Sequence, residues 1–229
     1  MNGYVFLFSV VALFAVAFVV WQLILQSKET ALLKKHASEI SGNASLPKQK
    51  LESLLNFLHT HISWQGLNEN ARRPLLRANA TEILFSGKGF CGENTRVAIL
   101  LMNKMNIRAG RFYLTGKKWG HVLSEYLVDD KWWLFDGHLD PATKMTSERV
   151  CTIESPDFHL LRNENVVNPY TGFFRIKIFN RISFLKSLDN LRPPKSIVII
   201  SESPHMVKAI VGLLLCVASV IAIILVYGN

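Results

Sequence analysis

Two long apolar runs, one near each end of the chain, constrain its fold more than any other feature. Residues 4–25 are apolar apart from Ser9 and Gln22, and residues 209–227 are interrupted only by small residues and Ser219. Each run is long enough to cross the roughly 30 Å hydrocarbon core of a bilayer as a helix. A cleaved signal peptide is the alternative for the first run. However, no Lys or Arg precedes it, and it exceeds the usual signal core of about 7–15 residues. The sequence therefore predicts a two-pass membrane protein.

The charged side chains all lie between the two apolar runs, from Lys28 to Lys208, and this segment carries the whole net charge of +9. Lysines flank both runs on that side, whereas the termini carry no charged side chain. The positive-inside rule then leans toward a cytoplasmic domain, although it weakens for loops longer than about 60 residues. The basic residues are dispersed, which favours contact with membrane lipid or acidic substrates and argues against nucleic acid as a partner.

The cysteines indicate neither disulfide bonds nor a structural metal site. Their number is odd and the spacing of Cys91, Cys151 and Cys216 is wide, so neither disulfides nor a structural zinc site is predicted. Cys216 lies within the second apolar run, and Cys151 is interpreted as a small buried residue. We expect no cofactor and no metal.

The segment between the runs begins with predicted helices. They cover residues 28–40, a stretch opening with Ser45 as its cap, one or two turns at 81–85, and residues 92–105. The second of them has an apolar stripe on one face, made of Leu51, Leu54, Leu55, Leu58 and Ile62.

Strand patterns follow the helices. Strands are predicted over residues 111–115, 121–128 and 131–136, and Asp129-Asp130 joins the last two as an antiparallel hairpin. Helices followed by hairpins indicate an α+β domain. Beyond Pro141 the expected elements are a strand at 174–178, a helix at 180–191, and either a short strand or the approach to the second anchor at 197–200.

Cys91 stands where a nucleophilic cysteine is favoured. It follows a Gly-Lys-Gly-Phe run and immediately precedes the helix predicted over residues 92–105. The backbone N–H groups of a helix start lower the pKa of a thiol there, and they can stabilise the oxyanion of acyl transfer.

A thiolate nucleophile also needs an imidazole and a carboxylate that orients it. His121 opens the strand over residues 121–128, and Asp136 ends the next one. Folding the hairpin about Asp129-Asp130 places Asp136 opposite Leu123, on the same edge as His121. The sequence therefore predicts a catalytic set of Cys91, His121 and Asp136.

These residues together resemble a known signature. Gly87-Lys88-Gly89-Phe90-Cys91 at a helix start, Gly120-His121-Val122 with Glu125, and Trp133-x-x-Asp136 resemble the core of the transglutaminase-like superfamily over residues 80–141. The resemblance implies a papain-like fold, with the cysteine helix packed on an antiparallel sheet that bears the His and the Asp. Glu125 is expected to be a structural hydrogen-bond acceptor.

Some positions depart from that family pattern. Leu123 stands where the family usually carries Trp, and the family's Asp-Pro appears later, at Asp140-Pro141, so Asp140 is a rival for the role of Asp136. By the resemblance, the side-chain oxyanion donor precedes the nucleophile, and Trp64 and Gln65 are the candidates.

Two functions from different classes fit this sequence. The first is a membrane-anchored thiol enzyme that transfers an acyl group from a peptide or protein amide to water or to an amine. The second is a non-catalytic transglutaminase-like module that binds a partner within a membrane complex. The expected divisions are a transmembrane helix at 1–27, a helical lead-in at 28–79, the core at 80–141, an extension at 142–204 and a second transmembrane helix at 205–229.

Overall fold

A computed structural model describes residues 3–64, 78–116, 120–137, 166–170 and 192–227. In chain order, its helices are α1 (Gly3–Ser41), α2 (Pro47–His61), α3 (Ala80–Ser86), α4 (Cys91–Lys104), α5 (Lys195–Glu202) and α6 (Pro204–Tyr227). Its strands are β1 (Ser63–Trp64), β2 (Lys88–Gly89), β3 (Arg108–Gly116), β4 (Gly120–Val128), β5 (Lys131–Phe135) and β6 (Val166–Tyr170).

Helix α1 contains both the first apolar run and the helix predicted over residues 28–40. The two form one continuous helix of 39 residues, about 58 Å long, or nearly twice the thickness of a bilayer core. No Gly or Pro interrupts the sequence between them, so the helix has no reason to end at the membrane surface. Its C-terminal half buries Leu33 and Ala37 in the domain core. The first apolar run therefore continues directly into a core helix of the domain.

Helix α6 packs along α1 at the other end of the chain. The contact is close at Gly212, where an added Cβ would lie 2.9 Å from Val19 Cγ2 and 3.0 Å from Phe18 Cδ1. Near the start of α6, His205 Nδ1 lies 2.8 Å from Gln22 Oε1, and both side chains are buried. Both helices are long and apolar enough to cross a membrane.

The main sheet has the strand order β5-β4-β3-β6, with antiparallel pairing throughout. Asp129 and Asp130 have φ values of 52° and 57°, the positive values of a type I′ hairpin turn, which Asp tolerates. Ser124 pairs with Phe135, which confirms the hairpin register predicted from the sequence. Helix α4 lies on β3 and β4, so the cysteine-bearing helix packs on an antiparallel sheet, as expected.

Two local predictions are wrong. Helix α2 begins after Leu46 with Pro47 as its first residue, and no side-chain cap from Ser45 is formed. Proline at the first position presets a helical φ and has no N–H to satisfy, so this start needs no serine. Of the two alternatives for residues 197–200, the strand is wrong. These residues belong to helix α5, which packs its buried Val198 against the core and leads directly into α6.

One helix prediction is confirmed, and two further predictions concern residues that the structure does not describe. Helix α3 confirms the turns expected at 81–85, and its start is a capping box between Asn79 and Glu82. The strand expected at 174–178 and the helix expected at 180–191 lie outside the described residues.

Candidate active site

Cys91 is the first residue of α4, and its side chain is buried. Phe90 precedes it in an extended conformation, and the Phe90 carbonyl accepts hydrogen bonds from the N–H groups of Glu93 and Asn94, at 2.9 and 3.0 Å. Phe90 has no polar side chain that could cap the helix in place of a ligand. The sulfur therefore lies at the positive end of the α4 dipole, which favours a thiolate.

The segment before Cys91 is shaped by a glycine and a short parallel pairing. Gly87 has a φ of +61°, and a Cβ there would lie 3.1 Å from the carbonyl oxygen of His61, so only glycine fits without strain. Strand β1 then pairs in parallel with β2, with Trp64 beside Gly89. This pairing brings the backbone of Trp64 close to the nucleophile. The side chain of Trp64 and all of Gln65 lie outside the described residues, so the oxyanion donor stays a prediction.

Asp136 directly follows β5 and is buried. On one side, Ser124 Oγ donates to the Phe135 carbonyl at 3.0 Å. On the other side, Asn94 Nδ2 donates to the Gly137 carbonyl at 2.7 Å. Asn94 is three residues after Cys91, so this bond holds Asp136 against the first turn of the cysteine helix. The rival Asp140 lies outside the described residues.

His121 is the second residue of β4 and pairs with Leu114 of β3. The next residue, Val122, accepts a hydrogen bond from Thr95 Oγ1 at 2.9 Å. Thr95 follows Cys91 by four residues, one turn of the same helix face. The backbone at His121 is thereby held against the cysteine helix. The side chain of His121 lies outside the described residues, so its pairing with Cys91 and Asp136 stays a prediction.

A buried charged cluster supports the same helix start and was not predicted. Arg111 of β3 donates from Nη2 to the Gly92 carbonyl at 3.0 Å. The same guanidinium donates from Nε and Nη2 to the two carboxylate oxygens of Glu202, at 2.6 and 2.5 Å. Arg96 Nε lies 3.6 Å from Glu202 Oε2. The residue adjacent to the nucleophile is thus bonded to an ion pair.

A second ion pair lies elsewhere on the same sheet. Arg192 Nε donates to both carboxylate oxygens of Glu125 at 3.0 Å each, and Arg192 Nη2 lies 3.0 Å from Glu125 Oε2. The Arg192 guanidinium lies 4.6 Å from the ring centre of Trp132. Burial raises the pKa of Glu125 to about 7, although Arg192 favours the charged form. Glu125 is therefore a structural acceptor, as the sequence predicted.

His59, near the end of α2, is a further residue that sequence reasoning missed. Burial lowers the pKa of His59, and the neighbouring Asp136 offsets this only in part through its charge and its carbonyl. The ring is therefore neutral near pH 7. A single histidine beside an apolar stripe carries no chemical signature in the sequence, so no signal could have identified it.

A match to a protein-family model agrees with this architecture. Residues 34–137 match the model of the transglutaminase-like superfamily core. Among solved structures, the chain is similar to a candidate cysteine protease from Cytophaga hutchinsonii, with 17% identity over 47% of this chain and a TM-score of 0.40. It is also similar to a TGase, with 12% identity over 60% of this chain and a TM-score of 0.41. The matched part covers 37% of each of those chains. No curated protein sequence matches this chain.

Proposed function

We propose that this chain, whose residues 34–137 match the model of the transglutaminase-like superfamily core, is a membrane-anchored thiol enzyme that acts on peptide or protein amides. Cys91 is the nucleophile, His121 the general acid and base, and Asp136 the carboxylate that orients the imidazole. The α4 backbone N–H groups, with Trp64 or Gln65, stabilise the oxyanion.

One observation carries the proposal: two residues in the first turns of α4 bond to the backbone beside both of the other catalytic positions. Asn94 bonds to Gly137, the neighbour of Asp136, and Thr95 bonds to Val122, the neighbour of His121. A triad requires three groups from three elements to converge within hydrogen-bond reach. These two contacts support such a convergence independently of the resemblance in sequence.

The proposed reaction has two steps. The Cys91 thiolate attacks the amide carbonyl carbon, and the resulting tetrahedral oxyanion collapses to a thioester as the C–N bond breaks and His121 gives its proton to the departing amine. A water molecule or a second amine then attacks the thioester and loses a proton to His121, which releases Cys91. Water gives hydrolysis, and an amine gives transamidation.

The apolar halves of α1 and α6 would anchor this enzyme. In the proposed arrangement both helices cross the bilayer, the termini lie on one side, and the domain lies on the other, with the flanking lysines favouring the cytoplasm. The two apolar helices, packed side by side, support this arrangement.

The nucleophile can be tested by alkylation in the detergent-solubilised protein. Iodoacetamide modification of Cys91, followed against pH by peptide mass spectrometry, should have a midpoint below the ordinary thiol pKa of about 8.5. His121→Ala should move that midpoint upward, because the thiolate loses its cationic partner. Cys151 and Cys216 provide internal references. A midpoint near 8.5 in both proteins would contradict the enzyme and favour the non-catalytic binding module.

A further inference from the structure

We propose that Arg111 and Glu202 are positioning residues of the Cys91 site, and that they couple the geometry of that site to the start of helix α6. This inference rests on the proposed function of Cys91.

The first argument is the contact with the nucleophile's turn. The same Arg111 nitrogen, Nη2, bonds both to the Gly92 carbonyl and to Glu202. An additional Cβ on Gly92 would lie only 3.4 Å from Arg111 Nη1, so the guanidinium lies directly against this turn. Residues in the first turn of a helix are the ones whose amides face a ligand. A donor fixed to the Gly92 carbonyl therefore fixes the orientation of the amides beside the Cys91 sulfur.

The second argument is the rigidity of the pair. Arg111 and Glu202 form a two-bond, fork-like contact, and their side chains are 12% and 5% exposed. Such bidentate pairs have well-defined geometry as well as strength. Arg96 of α4 adds a second cation next to Glu202 and donates from Nη1 to the Ala78 carbonyl at 2.7 Å. The carboxylate of Glu202 therefore lies between the sheet and the cysteine helix.

The third argument is the charge of the cluster. Two arginines face one carboxylate in a buried position below the first turn of α4. Arg111 lies against this turn and Arg96 lies beside Glu202, and a cation near a cysteine favours its thiolate. Arg111 and Glu202 therefore fix the geometry of the turn that carries Cys91, and the two arginines add positive charge close to it.

The fourth argument is the place of Glu202 in the chain. It is the last residue of α5, and only Ser203 separates it from Pro204, the first residue of α6. Helix α6 is in turn held to α1 by the His205–Gln22 contact. A displacement of α6 against α1 would move Glu202, and through Arg111 it would move the turn that carries Cys91.

The test compares two matched pairs of variants by the pH dependence of Cys91 alkylation with iodoacetamide. Arg111→Gln removes the fork, and Glu202→Asp keeps the charge but shortens the carboxylate by one methylene. The controls make the same changes in the ion pair of Arg192 with Glu125 on β4, as Arg192→Gln and Glu125→Asp. Circular dichroism and thermal unfolding select the variants that remain folded.

We expect Arg111→Gln to raise the alkylation midpoint by about one pH unit and to slow the reaction at pH 7 about tenfold. Glu202→Asp should shift the midpoint in the same direction although no charge is lost. Arg111→Lys, which keeps the cation but not the fork, should recover part of the shift. The control variants should leave the midpoint at the wild-type value.

The outcomes separate this inference from the function on which it rests. A wild-type midpoint near 8.5 would contradict the nucleophile itself. A depressed wild-type midpoint that Arg111→Gln and Glu202→Asp leave unmoved, or move no more than their controls, would overturn the positioning role. Lower thermal stability with an unchanged midpoint would show that the pair only holds the fold together.

Discussion

Asp136 is held from both sides by bonds to its neighbours, and this supports the proposal that its carboxylate orients His121. The bonds from Ser124 to Phe135 and from Asn94 to Gly137 fix the backbone on either side of it. The burial of its side chain places the carboxylate within the domain.

Asp136→Asn should therefore reduce any Cys91-dependent turnover by orders of magnitude and leave the protein folded, because the amide stabilises the wrong imidazole tautomer. Asp140→Asn, its matched control, should have little effect. Turnover of an amide substrate, or the alkylation profile of Cys91, measures both variants. The opposite ranking would transfer the orienting role to Asp140 and contradict the site as proposed.

The raised pKa of Glu125 predicts how the free energy of unfolding depends on pH. Its pKa is about 7 in the fold, against an ordinary value of about 4.3 in an unfolded chain. The folded state therefore binds more protons between these values, and stability is lost as the pH rises from about 4.5 to 7. The loss should be about 3–4 kcal/mol. Urea unfolding against pH should show this slope in the wild type and not in Glu125→Gln. If the free energy of unfolding depends on pH equally in the two proteins, the raised pKa of Glu125 is contradicted.

The residues of the site differ in how far the sequence could predict them. Cys91 and Asp136 are marked by local patterns, a glycine-rich helix start and a strand end. Arg111 and Glu202 lie 91 positions apart, and each is an ordinary charged residue within its own segment. Only the folding of α5 against β3 brings them together, so no local pattern could have revealed the pair.

The close packing of α2 and α4 against the end of β5 depends on Gly137. A Cβ on Gly137 would lie 2.7 Å from Leu58 Cδ1 and 2.9 Å from Asn94 Oδ1. Both distances are shorter than van der Waals contact, and both neighbours are buried. A side chain at this position would therefore push α2 or α4 away from the sheet.

Gly137→Ala should lower the free energy of unfolding by about 1–3 kcal/mol, as overpacking does in a well-packed core. Gly110→Ala is the matched control, since the nearest atom to its Cβ would be Glu125 Oε1 at 3.7 Å. That change should be neutral or slightly stabilising, because alanine loses less entropy than glycine on folding. Denaturant titration of both variants measures the difference. A loss at Gly110 as large as that at Gly137 would contradict the packing argument.

The hairpin was predictable for a physical reason, and the C-terminal elements were not. A two-residue turn fixes the register of both flanking strands, so Asp129-Asp130 alone determined that Ser124 pairs with Phe135. Residues 195–202 contain four successive β-branched residues, Ile197, Val198, Ile199 and Ile200, which suit a strand as well as a helix. Packing of Val198 into the core decided for the helix.

In the proposed topology of the whole molecule, the domain lies on one side of the membrane and both termini lie on the other. A reporter fused at the C-terminus and protease digestion of sealed vesicles should locate them separately. Digestion of the domain from one side should leave the C-terminal reporter intact, and we expect that reporter on the face opposite the cytoplasm. Cleavage of both from the same side would contradict two spans.

Because α1 is continuous, it fixes the angle between the contacts of its apolar half and the contacts of its half in the domain core. Gln22 faces His205 of α6, while Glu29, seven residues later, accepts the Ala80 N–H at 2.8 Å and so helps to cap α3. Seven residues are almost two full turns, so the contact with α6 and the contact with α3 lie on the same side of helix α1. A single residue inserted between them would turn one contact about 100° away from the other. In the proposed membrane arrangement, the helical phase of α1 would fix the direction from which a neighbouring membrane protein approaches the Cys91 turn.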